Sequence, residues 1–289
     1  MGKDLYNHFA YSARPVFEEA EEVLGVGTKD LIFSGPFMEL RKTEHAQPAI
    51  LTCSIATLRA LEHEFGFQVQ KEASFVLGHS LGEYTALVAS NAISFPSALR
   101  LVQARGKAMA KCMAELSTRE CIMVAVVLHL QGEALEDELK RGELVKVRLA
   151  EIEASFQLVL SGTLKAVEHA CEVLNQNDLA HRASDRLPVS APFHTSLLSP
   201  AAAELGPLLK DTHFERPVVP FVSNVTAGRV DDATEIGPLL EQQVTKTVQW
   251  HRSVDWLRRE GGVGRWLCFG PGRTLANLIR KEFGRDVVR

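Results

Sequence analysis

The chain has 289 residues, 46% of them hydrophobic and 24% charged, with a formal net charge of −4. That length holds one large domain or two unequal ones, and the composition is that of an ordinary globular protein. No apolar run is long enough to span a bilayer, and the acidic balance argues against a nucleic-acid-binding protein, which normally carries a basic excess.

Met1-Gly2-Lys3-Asp4-Leu5 leads directly into an amphipathic helical pattern and resembles neither a signal peptide nor a transit peptide. A helix is predicted over Ala13 to Leu24, and helical periodicity continues through Leu31 and Leu40 to Phe65. Within it, Gln47-Pro48 reads as a helix start, followed by a stripe of Ile50, Leu51, Ser54, Ile55, Leu58 and Leu61. Ser74 to Leu77 then reads as a short buried strand, and a helical pattern resumes at Leu81. Between them lies Gly78-His79-Ser80-Leu81-Gly82, a strand-turn-helix with a serine at its apex. Such an elbow calls for small residues at Gly78 and Gly82, because strand and helix backbones approach closely there. It aims the Leu81 N–H, at the helix start, toward whatever Ser80 attacks. A plain helix cap by Ser80 is the alternative.

The next helix, Ser97 to Leu116, is apolar along Ala98, Leu101, Val102, Ala108, Met109, Cys112, Met113 and Leu116, yet Arg105 falls on that face. A guanidinium aimed at the core needs either a carboxylate or an anionic ligand, and snorkelling is the structural alternative. From about Arg119 to Pro188 the pattern changes. Strands are predicted over Cys121 to Leu130, Leu144 to Ile152, Gln157 to Leu160 and His181 to Val189, with helices over Glu133 to Lys140 and Thr163 to Leu174. This βαββαβ order is the ferredoxin-like arrangement. The expected architecture is an α/β hydrolase-like body formed by residues 1–118 and 189–289, with a ferredoxin-like subdomain at 119–188 and a cleft between them.

Ser190-Ala191-Pro192-Phe193-His194 returns the chain to the body. A helix from Ser199 to Leu209, a strand from Pro217 to Ser223, and helices from Ile236 to Val244 and from Trp250 to Arg259 follow. The last unit is Trp266 to Phe269 as strand, Gly270-Pro271-Gly272 as turn and Thr274 to Phe283 as helix. That turn lacks the lysine and serine of a phosphate-binding loop, so tight packing is its expected role. The five cysteines (Cys53, Cys112, Cys121, Cys171, Cys268) are odd in number and widely spaced, and read as reduced core residues.

A serine at an elbow needs a base, and histidine is the usual one. Of ten histidines, His8, His63, His129, His169 and His213 sit in polar or charged surroundings. His194 stands apart, at a junction between subdomains where a loop can lean into the cleft.

Gly78-His79-Ser80-Leu81-Gly82-Glu83-Tyr84, Gln103-Ala104-Arg105-Gly106, Ala191-Pro192-Phe193-His194, Val248-Gln249-Trp250 and Gly270-Pro271-Gly272 resemble, in order and spacing, the malonyl-CoA:acyl carrier protein transacylases. These are the acyltransferase domains of fatty-acid and polyketide synthesis, and the likeness covers nearly the whole chain. It implies Ser80 as nucleophile, His194 as base and then acid, and Arg105 as a bidentate anchor for the malonate carboxylate. It also implies a backbone carbonyl near Gln249 as the group orienting His194, Leu81 N–H as an oxyanion donor, and His79 and Phe193 on the substrate side. Phe193 hints at exclusion of a 2-methyl branch. No cofactor and no metal are implied. The expected partners are malonyl-CoA and the phosphopantetheine of acyl carrier protein, with no nucleic acid and no membrane, on a monomeric protein.

Two departures from the family stand out. The family opens with a strand and a Gly-Gln-Gly-Ser-Gln turn that supplies a second oxyanion donor, and this sequence starts just after it. Loss of such a donor typically costs ~10²–10³ in rate, and loss of the strand exposes a sheet edge. Glu151-Ile152-Glu153 stands where the family has asparagines, and solvent-facing carboxylates are expected there. The mitochondrial matrix is the expected compartment, with the cytoplasm as alternative. Other readings are a serine thioesterase or hydrolase on a similar elbow, or a carrier-protein-binding module with impaired catalysis. From Trp250 to Arg289 nine Lys/Arg oppose four acidic residues, a local +5 suited to an acidic carrier protein.

Overall fold

The computed structural model describes the backbone of residues 1–116, 120–128, 148–154, 157–176, 180–187 and 191–288. Side chains at 128, 148–154, 157 and 180–185 lie outside the description. The architecture is α/β, mostly helical with two small sheets.

Helix α1 (Ala13–Leu24) buries Ala13, Val16, Phe17 and Ala20, the i, i+3, i+4, i+7 stripe of a helix facing a core. It packs against α2 (Thr43–Phe65). Helix α2 begins at Thr43 and not at the predicted Gln47-Pro48 start, so Pro48 lies inside it. Tertiary packing holds this first turn in helical form. A Cβ on Gly106 would stand 2.6 Å from Glu44 Cα and 2.8 Å from the Thr43 carbonyl, so the backbones of the two segments touch there. Strand β1 (Val76–Leu77) leads through the elbow into α3 (Gly82–Ala89), and α4 (Phe95–Glu115) follows, its start capped by Ser94 accepting from the Ser97 N–H.

The second sheet comprises β2 (Cys121–Leu128), β3 (Arg148–Ala154), β4 (Gln157–Thr163) and β5 (Ala180–Arg186), antiparallel throughout in the order β3-β4-β2-β5. Helix α5 (Leu164–Gln176) covers it with Val167, Ala170 and Leu174. The predicted helix at 133–140 and the first residues of the predicted 144–152 strand lie outside the described residues, as do the side chains of Glu151 and Glu153 and the exposure expected of them.

Helix α6 (Ser199–Asp211) precedes β6 (Phe221–Val222) and β7 (Arg229–Val230). Strand β1 pairs in parallel with β6, Val76 opposite Phe221 and Leu77 opposite Val222, and β7 pairs antiparallel on the far side of β6, leaving β1 at the edge. The predicted strand from Pro217 shrinks to two residues. Pro217 and Pro220 have no N–H to give a ladder, and Val218 N–H goes to the Ser90 carbonyl at 2.9 Å. Helices α7 (Ala233–Gln243), α8 (Trp250–Arg259) and α9 (Thr274–Phe283) complete the body. The predicted strand at Trp266 to Phe269 is reduced to a single bridge between Trp266 and Val288.

One apolar cluster joins α1, α2, α3, α4, α6 and α7, and a second joins α8, α9, Trp266 and Val222. Phe193 packs against the first and also against Met123, Ala125 and Val159 of the antiparallel sheet. No described helix is long and apolar enough to cross a membrane. None of the five cysteines is in a disulfide.

Candidate active site

Strand β1 ends where Gly78 meets the first turn of α3. A Cβ on Gly78 would lie 2.0 Å from the Gly82 carbonyl group, so that position admits only glycine. Gly82 itself has open space around a Cβ, and the expected restriction there does not hold. Ser80 takes φ +53°, the left-handed region that L-residues seldom occupy. His194 does the same at φ +59°, in a turn closed by Thr195 Oγ1 donating to the Pro192 carbonyl at 2.9 Å. Strain of this kind, of order 1–3 kcal/mol per residue, persists only where the surroundings hold it.

The turn carries His194 into the elbow. Its Nε2 lies 2.9 Å from Ser80 Oγ, and its Nδ1 lies 2.8 Å from the carbonyl oxygen of Gln243. A carbonyl only accepts, so Nδ1 carries the proton and Nε2 offers its lone pair to the serine hydroxyl. Burial, followed by the charge of Arg105, lowers the His194 pKa from 6.5 to about 3, which keeps the ring neutral and able to act as a base.

Arg105 is buried in α4 and 2% exposed. It donates from Nη1 to Gln47 Oε1 at 2.7 Å and from Nη2 to Gln243 Oε1 at 2.9 Å and Ser80 Oγ at 3.1 Å. Gly106 makes the Gln47 contact possible, because it lets α4 approach the first turn of α2. All three acceptors are neutral, and Nε has no partner among the described residues. A buried cation with unused donors and, among the described residues, no carboxylate in contact is prepared for an anion.

The description "Acyl transferase domain" matches residues 1–263. The chain belongs to the acyl transferase domain family. A malonyl CoA-acyl carrier protein transacylase from Bacillus subtilis (strain 168) is 38% identical over 285 residues, covering 97% of this chain and 85% of the relative. An acyl-carrier-protein S-malonyltransferase from Bartonella henselae superposes with a TM-score of 0.86 at 38% identity, covering 97% of this chain and 87% of that one. A malonyl-transacylase solved in complex with a type II polyketide acyl carrier protein superposes at 0.82 with 33% identity, covering 96% of this chain and 85% of that one.

In this acyl transferase domain the carbonyl facing His194 belongs to Gln243, six positions before Gln249. Gln249 is the N-cap of α8, and its carbonyl accepts the Ser253 N–H and hydroxyl, both at 2.9 Å, so it is turned into that helix and away from the histidine. Leu81 N–H has no acceptor among the described residues and stands at the start of α3, as an oxyanion donor would. His79 lies edge-on to the Trp250 ring, centroids 5.5 Å apart, and Phe193 is half-buried. Both line a cavity of about 700 Å3 that opens from Ser80 and is walled largely by apolar side chains such as Ile50, Leu58 and Phe269. The exposed Arg41 and Arg265 also line it.

Four residues with no role assigned from sequence complete the site: Gln47, Glu83, Asn224 and Gln243. Glu83 had a legible signal, as a carboxylate in the apolar run Leu81, Tyr84, Leu87, Val88. Asn224 and Gln243 had none, because they sit in ordinary polar stretches and reach Ser80 only through the fold. Among the described residues no cluster of three His, Cys, Asp or Glu could hold a metal ion.

Proposed function

We propose that this chain transfers a malonyl group from malonyl-CoA to the phosphopantetheine thiol of acyl carrier protein, in fatty acid biosynthesis, through a malonyl ester of Ser80. The observation that carries this reading is the buried, carboxylate-free guanidinium of Arg105, 3.1 Å from Ser80 Oγ. It suits an acyl group with a carboxylate of its own, held beside the nucleophile.

Ser80 Oγ attacks the thioester carbonyl as His194 Nε2 takes its proton, and the oxyanion forms toward Leu81 N–H. The C–S bond breaks, and His194 returns the proton to the CoA thiolate. The carrier's thiol then gives a proton to His194 and attacks the ester, and Ser80 leaves as the alkoxide that recovers it. The exposed Arg41 and Arg265 lining the cavity suit the phosphates of CoA, and the basic excess from Trp250 onward suits an acidic carrier protein. The antiparallel order β3-β4-β2-β5 supports reading residues 119–188 as a ferredoxin-like subdomain. The parallel β1–β6 pair and its elbow support a hydrolase-like body over 1–118 and 189–289.

Intact-protein mass spectrometry after incubation with malonyl-CoA tests the function. One malonyl adduct, absent in Ser80→Ala and discharged by holo-carrier protein, is the expected result. A folded protein that takes no adduct overturns it.

A further inference from the structure

Glu83 is fully buried, one turn after the elbow; its backbone N–H donates to the Ser80 carbonyl at 3.1 Å, while its carboxyl group makes no described hydrogen bond to Ser80 or His194. Its two oxygens face in different directions. Oε1 accepts the Asn224 N–H at 2.5 Å, and Oε2 accepts from Gln243 Nε2. Each of these partners holds one half of the Ser80–His194 pair.

Asn224 spans the elbow. Its Oδ1 accepts the Ser80 N–H at 2.7 Å, and its Nδ2 donates to the Gly78 carbonyl at 2.8 Å, so a single amide fixes the residues on either side of the strained turn. This bond also occupies Ser80 N–H and leaves Leu81 N–H as the elbow's available donor. Gln243 holds the other half. Its carbonyl accepts from His194 Nδ1, its Oε1 accepts from Arg105, and its Nε2 donates to the Ser80 carbonyl at 2.8 Å as well as to Glu83.

We infer that Glu83 is a positioning residue that sets the Ser80–His194 geometry by joining Asn224 to Gln243 through its two carboxyl oxygens. This inference rests on the acyl-transfer reading of the site. Both partners donate, so both oxygens must accept, and they do so with or without a proton, because a hydroxyl oxygen keeps a lone pair where an amide NH2 offers none. An amide at position 83 accepts with one oxygen only and presents an NH2 to the other donor. Gln243 cannot relieve that clash by turning its amide over, because Arg105 needs its oxygen and the Ser80 carbonyl needs its nitrogen.

The test uses p-nitrophenyl acetate, an uncharged acylating agent that bypasses the Arg105 anchor. The acetylation rate of Ser80 is followed by intact mass in the full chain. Glu83→Gln is expected to slow acetylation by ~10²-fold, the scale of an ångström-sized misplacement, in protein that still melts cooperatively. The loss is expected in the limiting acetylation rate, with the half-saturating ester concentration within about twofold of wild type, as a misplaced Ser80–His194 pair requires. Wild-type acetylation by folded Glu83→Gln overturns the inference, as does a loss confined to the half-saturating concentration. Should Glu83→Gln not fold, Glu83→Asp keeps two acceptor oxygens but draws them back by one methylene from the Asn224 N–H and Gln243. Slowed acetylation there supports the inference, and an unchanged rate overturns it. If the wild type takes acetyl but never malonyl, the malonyl reading fails while the comparison among variants still decides the role of Glu83.

Discussion

Arg105 Nη2 donates to Ser80 Oγ at 3.1 Å, so the cation and the proposed nucleophile are in contact. His194 Nε2 approaches the same oxygen at 2.9 Å. The hydroxyl thus gives its proton to the imidazole and accepts from the guanidinium, and in the proposed reaction the malonyl carboxylate replaces Ser80 as the acceptor of Arg105.

Arg105→Ala is therefore expected to lower kcat/KM for malonyl-CoA by about 10²-fold, the loss of about 3 kcal/mol of charge-assisted hydrogen bonding. Acetyl transfer to the carrier protein should hold steady or rise. Parallel kinetics with the two thioesters reads this directly, and an equal loss with both would remove Arg105 from the recognition of the carboxylate. Arg105→Lys should recover little, since an ammonium cannot replace the planar fork that reaches Gln47 and Gln243 together.

The elbow gives a contrast between two glycines. Gly78→Ala places a methyl 2.0 Å from the Gly82 carbonyl group, backbone against backbone, with nothing flexible to yield. More than the 1–3 kcal/mol of ordinary overpacking is expected, with loss of activity. Gly82→Ala meets open space and a φ that alanine accepts, so its thermal midpoint should match or slightly exceed the wild type. Melting curves of the two variants separate them, and similar destabilisation by both would contradict this picture of the turn.

Much of this site was legible in the sequence because its residues break local rules. Ser80 sits between glycines where a strand pattern becomes a helical one, and Arg105 interrupts an apolar stripe. Both are anomalies of pattern, and each has a chemical reason. Helix α8 has the predicted bounds, Trp250 to Arg259, because its apolar and polar faces alternate cleanly. The expected carbonyl near Gln249 proves to be that of Gln243, since a backbone carbonyl leaves no mark in a sequence and any residue type supplies one. The start of helix α2 is hidden in the sequence, since Pro48 outweighs a first turn that is held by contact between Glu44 and Gly106, 62 residues apart in the chain. Long-range backbone contacts and polar side chains that bond through the fold carry no periodicity.

The His194 imidazole, lowered to about 3 by burial and then by Arg105, is neutral across the working range. The rate of Ser80 acylation should then show no acid limb near pH 6.5, the ordinary histidine value, and stay level from about pH 5 to 8. Single-turnover malonylation across that range checks it. A descending limb centred between pH 6 and 7 would mean that His194 titrates as an exposed histidine does.

Stability should respond to pH from both sides. Burial raises the Glu83 pKa from 4.5 to about 8, while the Asn224 and Gln243 donors and the Arg105 charge pull the other way. A carboxyl raised on folding binds its proton more tightly in the native state. Its contribution is fully present below pH 4.5 and is lost as pH rises toward 8. His194 is lowered on folding, so its contribution is present above pH 6.5 and is lost as pH falls toward 3. The two effects cross between these limits, and denaturant midpoints should pass through a maximum in the weakly acidic range. Glu83→Gln removes the first effect only. If that variant folds, its stability should stop declining between pH 5 and 8, while the loss below pH 6 remains. An unchanged slope on the alkaline side would show that Glu83 holds no proton of its own in the native protein.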